Sequence, residues 1–381
     1  MSVEVNVVGM RCGAKAGGLS CTYCYQGSVR NATANAAPTR VDHDAIQRAI
    51  LEATPGAEGF SVFGGEALLA SVEDLERLWA FGLERYGTNG VQTSGRPIRE
   101  EHFALFKRYK VNVGFSIDGP EELNDARVAG SREATRLATC HAEASLRRCL
   151  AEGVSASLIV TLHALNASAQ KLSKLLAWLR GLDAAGLRSA RVHVLELDGP
   201  GKALALSSED NVSAFLALRE MEKTLAGLRF DVFADVEAKL RDPDAAATCV
   251  WSNCDPWTTT AVHGIEADGG RSLCQRVHKD GRSWLPAEGG PDNIRTRVLW
   301  RTPQERGGCS GCRFFLQCGG QCPGTAIDGD WRKRSRDCPT WFAVQHILRC
   351  SPQHSSVHRE CLQHKTASLL TGIRHTGGER S

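Results

Sequence analysis

Apolar and polar positions along the first 230 residues switch back and forth between two periods. Short apolar runs at 3–8, 59–63, 90–92, 111–117, 155–162 and 190–195 are bounded by glycine or polar residues and predict strands. Between them, apolar residues recur at three- and four-residue spacing and predict helices over about 43–53, 72–86, 100–109, 132–152, 169–182 and 210–228. Asp42 stands where the N-cap of the first helix belongs. Parallel neighbours can be joined only through a crossover, so this alternation implies βαβ units and a parallel sheet. Six units predict an α/β fold, a partial (β/α)6 barrel with its active site at the C-terminal ends of the strands.

Past about residue 235 the periodicity fades, and Gly, Pro, Cys and Trp take over. Six of the eight tryptophans fall between Trp251 and Trp341. A loop-rich segment of this kind builds little core of its own, so bound metal is expected to hold it together. The expected division is a barrel over 1–235, a cysteine-rich domain over 236–345 and a polar tail over 346–381.

Composition narrows the class. A 42 % hydrophobic and 23 % charged chain of 381 residues is ordinary for a globular enzyme. A net charge of +3 gives no electrostatic case for a nucleic-acid or membrane partner. No apolar run reaches the roughly 18 residues of a membrane span. The first residues lack the charged and apolar regions of a signal peptide, which predicts a cytoplasmic protein. Fifteen cysteines, an odd number, eight of them between Cys249 and Cys338, then argue for metal rather than disulfides.

Five stretches carry candidate chemistry. Cys12, Cys21 and Cys24 follow the first strand in a glycine-bearing loop, where three thiols can bind three irons of a cubane and leave the fourth open. A zinc knuckle or a redox pair is the alternative, although zinc asks for a fourth ligand close by. Gly64-Gly65-Glu66 ends a strand; the glycines let backbone approach a ligand and the carboxylate can take an ammonium group, unless this is only a turn. Ser116 and Asp118, in Phe115-Ser-Ile-Asp-Gly-Pro120, bring a hydroxyl and a carboxylate to the same mouth. Eight thiols, Cys249, Cys254, Cys274, Cys309, Cys312, Cys318, Cys322 and Cys338, suffice for two four-thiolate sites, either cubanes or zincs. The basic run Arg332 to Arg336 is either a solvated face or a dock for an acidic peptide.

Taken together, the first cysteine loop, the Gly-Gly-Glu and the second cysteine array resemble the radical S-adenosylmethionine (SAM) enzymes that carry a C-terminal SPASM domain. The array Cys254…Gly269-x4-Cys274…Cys309-x2-Cys312-x5-Cys318-x3-Cys322…Cys338 matches the seven-cysteine SPASM signature at each fixed spacing. The resemblance implies that Cys12, Cys21 and Cys24 hold the SAM-binding cluster. It places Tyr23 near the adenine, Gly64, Gly65 and Glu66 on the methionyl ammonium, and Thr93 and Ser94, after Gln92, on the cofactor. Ser116 and Asp118 would lie near the ribose or the substrate, and Asn124 to Arg127 echoes a His-Asp-x-x-Arg segment with Asn124 replacing the His. The first auxiliary cluster would take Cys249, Cys254, Cys274 and Cys322; the second, Cys309, Cys312, Cys318 and Cys338.

Two departures matter. Eight residues separate Cys12 from Cys21 where the family has three, so the loop must bulge. Gln275 stands where sulfatase-maturing members carry an aspartate base, which disfavours sulfatase maturation.

The chemistry the resemblance implies is reductive cleavage of SAM to a 5′-deoxyadenosyl radical, using three [4Fe–4S] clusters in all. The expected enzyme abstracts a hydrogen from an unactivated side-chain carbon of a ribosomally made precursor peptide. It oxidises that residue by two electrons, closing a C–C, C–S or C–O bond or a cyclopropane. A ferredoxin or flavodoxin would supply electrons. The chain opens on the first barrel strand, so a separate leader-binding protein, or the barrel and SPASM surface themselves, would present the peptide. The alternatives are a radical SAM epimerase or dehydrogenase and, outside enzymes, a zinc-stabilised peptide-binding scaffold. An epimerase needs a thiol hydrogen donor, but Cys140 and Cys149 point to opposite sides of one predicted helix and read as core thiols.

Overall fold

The computed structural model describes residues 2–6, 18–27, 40–53, 59–196, 199–255, 262–274, 276–277 and 294–350. Seven strands lie side by side in chain order: β1 (Ser2–Asn6), β2 (Ser61–Phe63), β3 (Asn89–Thr93), β4 (Val111–Ser116), β5 (Ala156–Leu162), β6 (Ser189–Val194) and β7 (Arg229–Phe230). Each is parallel to the next. The crossovers run through α1 (His43–Ala53), α2 (Val72–Tyr86), α3 (Glu100–Arg108), α4 (Arg132–Ala151), α5 (Leu172–Ala184) and α6 (Ser208–Glu222). This is the α/β partial barrel that the alternation predicts.

The helices start where small polar side chains can cap them. The side chain of Asp42 accepts the Ala45 N–H at 3.0 Å, Ser71 that of Asp74, Ser131 that of Ala134 and Ser207 that of Asp210. Gly87, in the left-handed region at φ 74°, ends α2. Apolar stripes then fix the packing: Leu75, Leu78 and Trp79 of α2 are wholly buried, as are Val113 and Phe115 of β4. Among the described residues no helix is long and apolar enough to cross a membrane.

Beyond residue 230 the structure holds more order than the sequence pattern suggests. α7 (Asp231–Arg241) follows β7 directly, and α8 (Ile294–Arg301) and α9 (Cys338–Arg349) lie within the cysteine-rich segment. β8 (Val262–Glu266) pairs parallel with β1 on its free edge, and β9 (Arg271–Leu273) turns back along β8 as a hairpin. The cysteine-rich segment therefore extends the barrel sheet. It also shares the barrel's core: Trp341 of α9 packs on Phe215 of α6 with ring centroids 5.2 Å apart and on Trp251 at 5.6 Å. Burying rings of this size stabilises the fold by roughly 3 kcal/mol each. The expected shortage of core is met by borrowing, and metal is not the segment's sole support.

Candidate active site and metal centres

The loop that carries Cys21 and Cys24 is tied down at three points. Ser20 and Cys21 form a two-residue antiparallel ladder with Val128 and Arg127. Arg96, just beyond β3, donates to the Gly18 carbonyl at 2.6 Å. Tyr23 donates its phenolic hydrogen to Asp118. Gly201 closes over this point, since a Cβ there would come within 2.6 Å of the Tyr23 Cα. Cys12, Gln275 and residues 351–381 lie outside the described residues.

Asp118 is the hub of the buried network beneath that loop. It is fully buried, with Oδ1 accepting from Arg127 at 2.9 Å and from the Thr161 N–H at 2.9 Å. Its Oδ2 takes Tyr23 and lies 3.3 Å from His163 Nε2. Burial raises the carboxyl, but Arg127 and His163 outweigh it and hold Asp118 well below the usual carboxylate range. The Arg127 guanidinium also sits 5.6 Å from the Tyr23 ring centre, a cation–π arrangement. Asn124 accepts the Asp118 N–H at 2.8 Å, which places the Asn124 to Arg127 segment around Asp118 from both sides.

Glu66 and the end of β3 meet in a second buried knot. Thr93 donates to Oε1 at 2.6 Å, the Ser94 N–H donates to Oε2 at 2.9 Å, and the Ser94 hydroxyl donates to Oε2 as well. Burial pushes the Glu66 carboxyl up, and the bonds from Ser94 and Thr93 pull it part of the way back. Gly64, at φ 140°, makes the turn that lets the strand end deliver Glu66 here. Two separate sequence features thus become one constellation.

A cavity of about 620 Å³ opens on the inner face of the sheet. Its walls include Cys21, Tyr23 and Cys24, then Gly64, Gly65, Glu66, Thr93, Ser94 and Ser116. Cys249, Cys254, Cys274 and Cys322 line the same cavity. Ser116 accepts from Gln92 at 2.7 Å, whereas Asp118 lies behind the wall and not on it. Glu4 of β1 and the ion pair of Arg276 with Glu196 face the cavity too. Burial pushes Glu4 up to about 7 against the pull of Arg191 and Arg276.

The eight later thiols fall into two neighbourhoods. Burial raises the Cys274 thiol, and Cys322 and Cys254 raise it further; Cys249 is pushed up to about 11 by burial and by Cys322. Separately, burial first and then Cys338 and Cys312 raise Cys309, to about 12, and Cys318, while burial and Cys312 raise Cys338. Among the described residues no three His, Cys, Asp or Glu side chains converge tightly enough to grip one ion. The all-thiolate donor sets fit a cubane, whose irons take one thiolate each, and equally a four-thiolate zinc. Arg295 supports that fit. It is buried, its guanidinium donates to the carbonyls of Trp331, Gly319, Gly320 and Lys333, and it feels Cys322, Cys254, Cys309 and Cys318. A cation buried on carbonyls alone is stabilised by thiolates on either side.

Other expectations resolve differently. Arg332 and Lys333 are spent on Asp330 and Asp328, and Arg334 on the carbonyls of Gln304 and Gly308, so the basic run is braced internally. Cys149 is buried in the core but Cys140 is exposed, so only one of the two is a core thiol. Neither lines the cavity. Sequence reasoning missed His163, Arg96, Arg276 and Arg295. A polar His163 directly after an apolar strand was a usable signal; the arginines offered none.

Comparison with known proteins places this geometry. Residues 15–172 match the family model described as the Radical SAM superfamily. A cysteine-type anaerobic sulfatase-maturating enzyme of Clostridium perfringens (strain 13 / Type A) is 31 % identical over 117 residues, 28 % of this chain. That alignment spans 31 % of the curated relative's length. The structure of native anSMEcpe with bound AdoMet and Cp18Cys peptide superposes with a TM-score of 0.68 at 16 % identity, covering 94 % of this chain and 99 % of that one. Streptococcus suis SuiB bound to precursor peptide SuiA gives a TM-score of 0.56 at 13 % identity, with 88 % and 74 % covered. At these identities the structural likenesses establish the fold.

Proposed function

We propose that this chain, whose residues 15–172 match the Radical SAM superfamily model, is a radical SAM peptide maturase that oxidises an unactivated side-chain carbon. One observation carries the proposal: a single cavity is lined both by the Cys21–Cys24 loop with its Glu66 knot and by a second set of four thiols. Cys12, Cys21 and Cys24 hold the first cluster; Gly64, Gly65 and Glu66 receive the ammonium of SAM. When bound, cluster and SAM together supply a carbon radical able to take a hydrogen from the substrate. Thr93 and Ser94 fix the Glu66 carboxylate, so it meets the cofactor without reorganising. Tyr23 flanks the adenine, and Ser116 offers its hydroxyl to ribose or substrate. Asp118 acts one layer back, holding Tyr23 and Arg127 in place.

Cys249, Cys254, Cys274 and Cys322 hold one auxiliary cluster, and Cys309, Cys312, Cys318 and Cys338 another. The net reaction proposed is loss of two hydrogens from the peptide with formation of a ring or crosslink. A precursor peptide fits the cavity's mixed polar wall, on which Arg191 and Arg276 stand with Glu4 and Glu196. A ferredoxin or flavodoxin is the electron partner.

Sulfatase maturation is the second reading, favoured by the curated relatives. Gln275, in place of an acidic residue after Cys274, weighs against it. The deciding experiment is an anaerobic incubation with dithionite, SAM and candidate peptides, read by mass spectrometry. A peptide two hydrogens lighter, with 5′-deoxyadenosine formed, supports ring or crosslink formation. Modification confined to a cysteine-bearing sulfatase peptide selects the second reading. A peptide of unchanged mass in ordinary water that takes up deuterium in heavy water selects epimerisation. Absence of 5′-deoxyadenosine from iron-loaded protein overturns the radical chemistry.

A further inference from the structure

Resting on the iron–sulfur reading of Cys309, Cys312, Cys318 and Cys338, we propose that the surface over this quartet docks a small acidic electron-carrier protein. Two large apolar side chains stand in solvent there, Trp300 of α8 at 53 % exposure and Leu316 at 63 %. Trp300 lies on the Phe315 ring, centroids 5.3 Å apart. Main-chain bonds tie both sides of the patch to the thiols: the Cys309 N–H donates to the Leu299 carbonyl at 2.7 Å and the Phe315 N–H to the Cys312 carbonyl at 3.2 Å. Leu299, Cys309, Phe315 and Cys312 form a small apolar cluster of their own. The floor of the patch is therefore the wall of the quartet.

Charge selects the partner. On residues 294–316 four arginines are exposed, Arg297, Arg301, Arg306 and Arg313, against the single exposed acid Glu305, so this face is locally cationic. Arg301 and Arg306 are exposed, and among the described residues neither guanidinium has an ion pair or hydrogen bond. The basic run at 332–336, by contrast, is already neutralised or hydrogen-bonded. An aromatic and an aliphatic anchor inside a cationic rim suit a weak, electrostatically steered encounter with an acidic surface. A second copy of this chain would bring the same arginines against themselves, a like-charge contact that disfavours it. A carrier that exchanges electrons must approach a buried metal centre, and this patch gives that approach to the quartet beneath it.

The test uses the anaerobically reconstituted full-length protein and, as probe, an acidic [4Fe–4S] ferredoxin, with affinity measured at low and high ionic strength. We expect binding that weakens with salt. It should weaken about tenfold or more in Arg301→Glu/Arg306→Glu, with iron content and dithionite-driven turnover unchanged. A second variant, Leu316→Ser, removes the apolar anchor without touching charge and should weaken binding at both salts. Wild-type affinity in both variants overturns the proposal. So does salt-sensitive self-association, seen by sedimentation and lost in the variants while ferredoxin affinity is kept. Failure of the cluster reading looks different: protein that takes up zinc and no iron, whatever its affinity for ferredoxin, and it removes this inference as well.

Discussion

Tyr23 reaches across 95 residues of chain to donate its hydroxyl hydrogen to Asp118, whose other oxygen holds Arg127 at 2.9 Å. The aromatic between two thiols is thus an anchor as well as a wall. Tyr23→Phe keeps the ring and loses the bond, and should cost about 1–2 kcal/mol. Asp118→Ala leaves Arg127 buried without its anion and should cost about 3–5 kcal/mol. Anaerobic denaturant melts would show the order, and iron release to a chelator should quicken in both. Equal stability of Asp118→Ala and wild type would sink the account of this hub.

Glu66 should matter to binding more than to folding. Glu66→Gln keeps the size of the side chain but removes the charge that Thr93 and Ser94 stabilise. SAM affinity by anaerobic equilibrium dialysis is expected to fall about tenfold or more, the equivalent of about 1.4 kcal/mol. The melting temperature should move little. Unchanged affinity would assign the ammonium to other groups.

Acid sensitivity has a source outside the site. His102, wholly buried in α3, accepts the Arg99 N–H on Nδ1 at 3.0 Å, and burial lowers it from 6.5 to about 4. The unfolded chain binds this proton first as pH falls. The stability that His102 contributes is therefore complete above about pH 6.5 and drains away between there and about pH 4. His102→Gln should flatten that part of the stability–pH curve. An identical slope in the variant would refute the assignment.

Arg295 joins the loops of both thiol sets through four carbonyls, so its removal should loosen both together. Arg295→Met is expected to lower iron content below that of any single-cluster cysteine variant, with α1 to α6 intact by circular dichroism. Loss of one cluster's iron only would show that the two loops are held independently.

Much of this was open in the linear pattern. The strands over β1 to β6 and the helices α1 to α4 emerge within about two residues, because each pairs a clear period with a cap or a glycine. The two-residue β7 was too short to show any period, and α9 was hidden by a proline and a cysteine at its start. At the site, thiols and Gly-Gly-Glu announced themselves by residue type. Arg96, Arg276 and Arg295 did not, since an arginine that will be buried looks like any other until its carbonyl or carboxylate partners arrive from distant loops.

The sequence by itself determined the local things: period, caps and the spacing of cysteines, all set by neighbours a few residues away. Tertiary structure decided which distant groups share a boundary. Only the assembled sheet shows that β8 borders β1, that Glu66 belongs with Thr93 and Ser94, and that Asp118 serves Tyr23 and Arg127 from behind the cavity wall. The reason is physical. Burial strips water from these polar groups, and each must then find its partner wherever the fold brings one within reach.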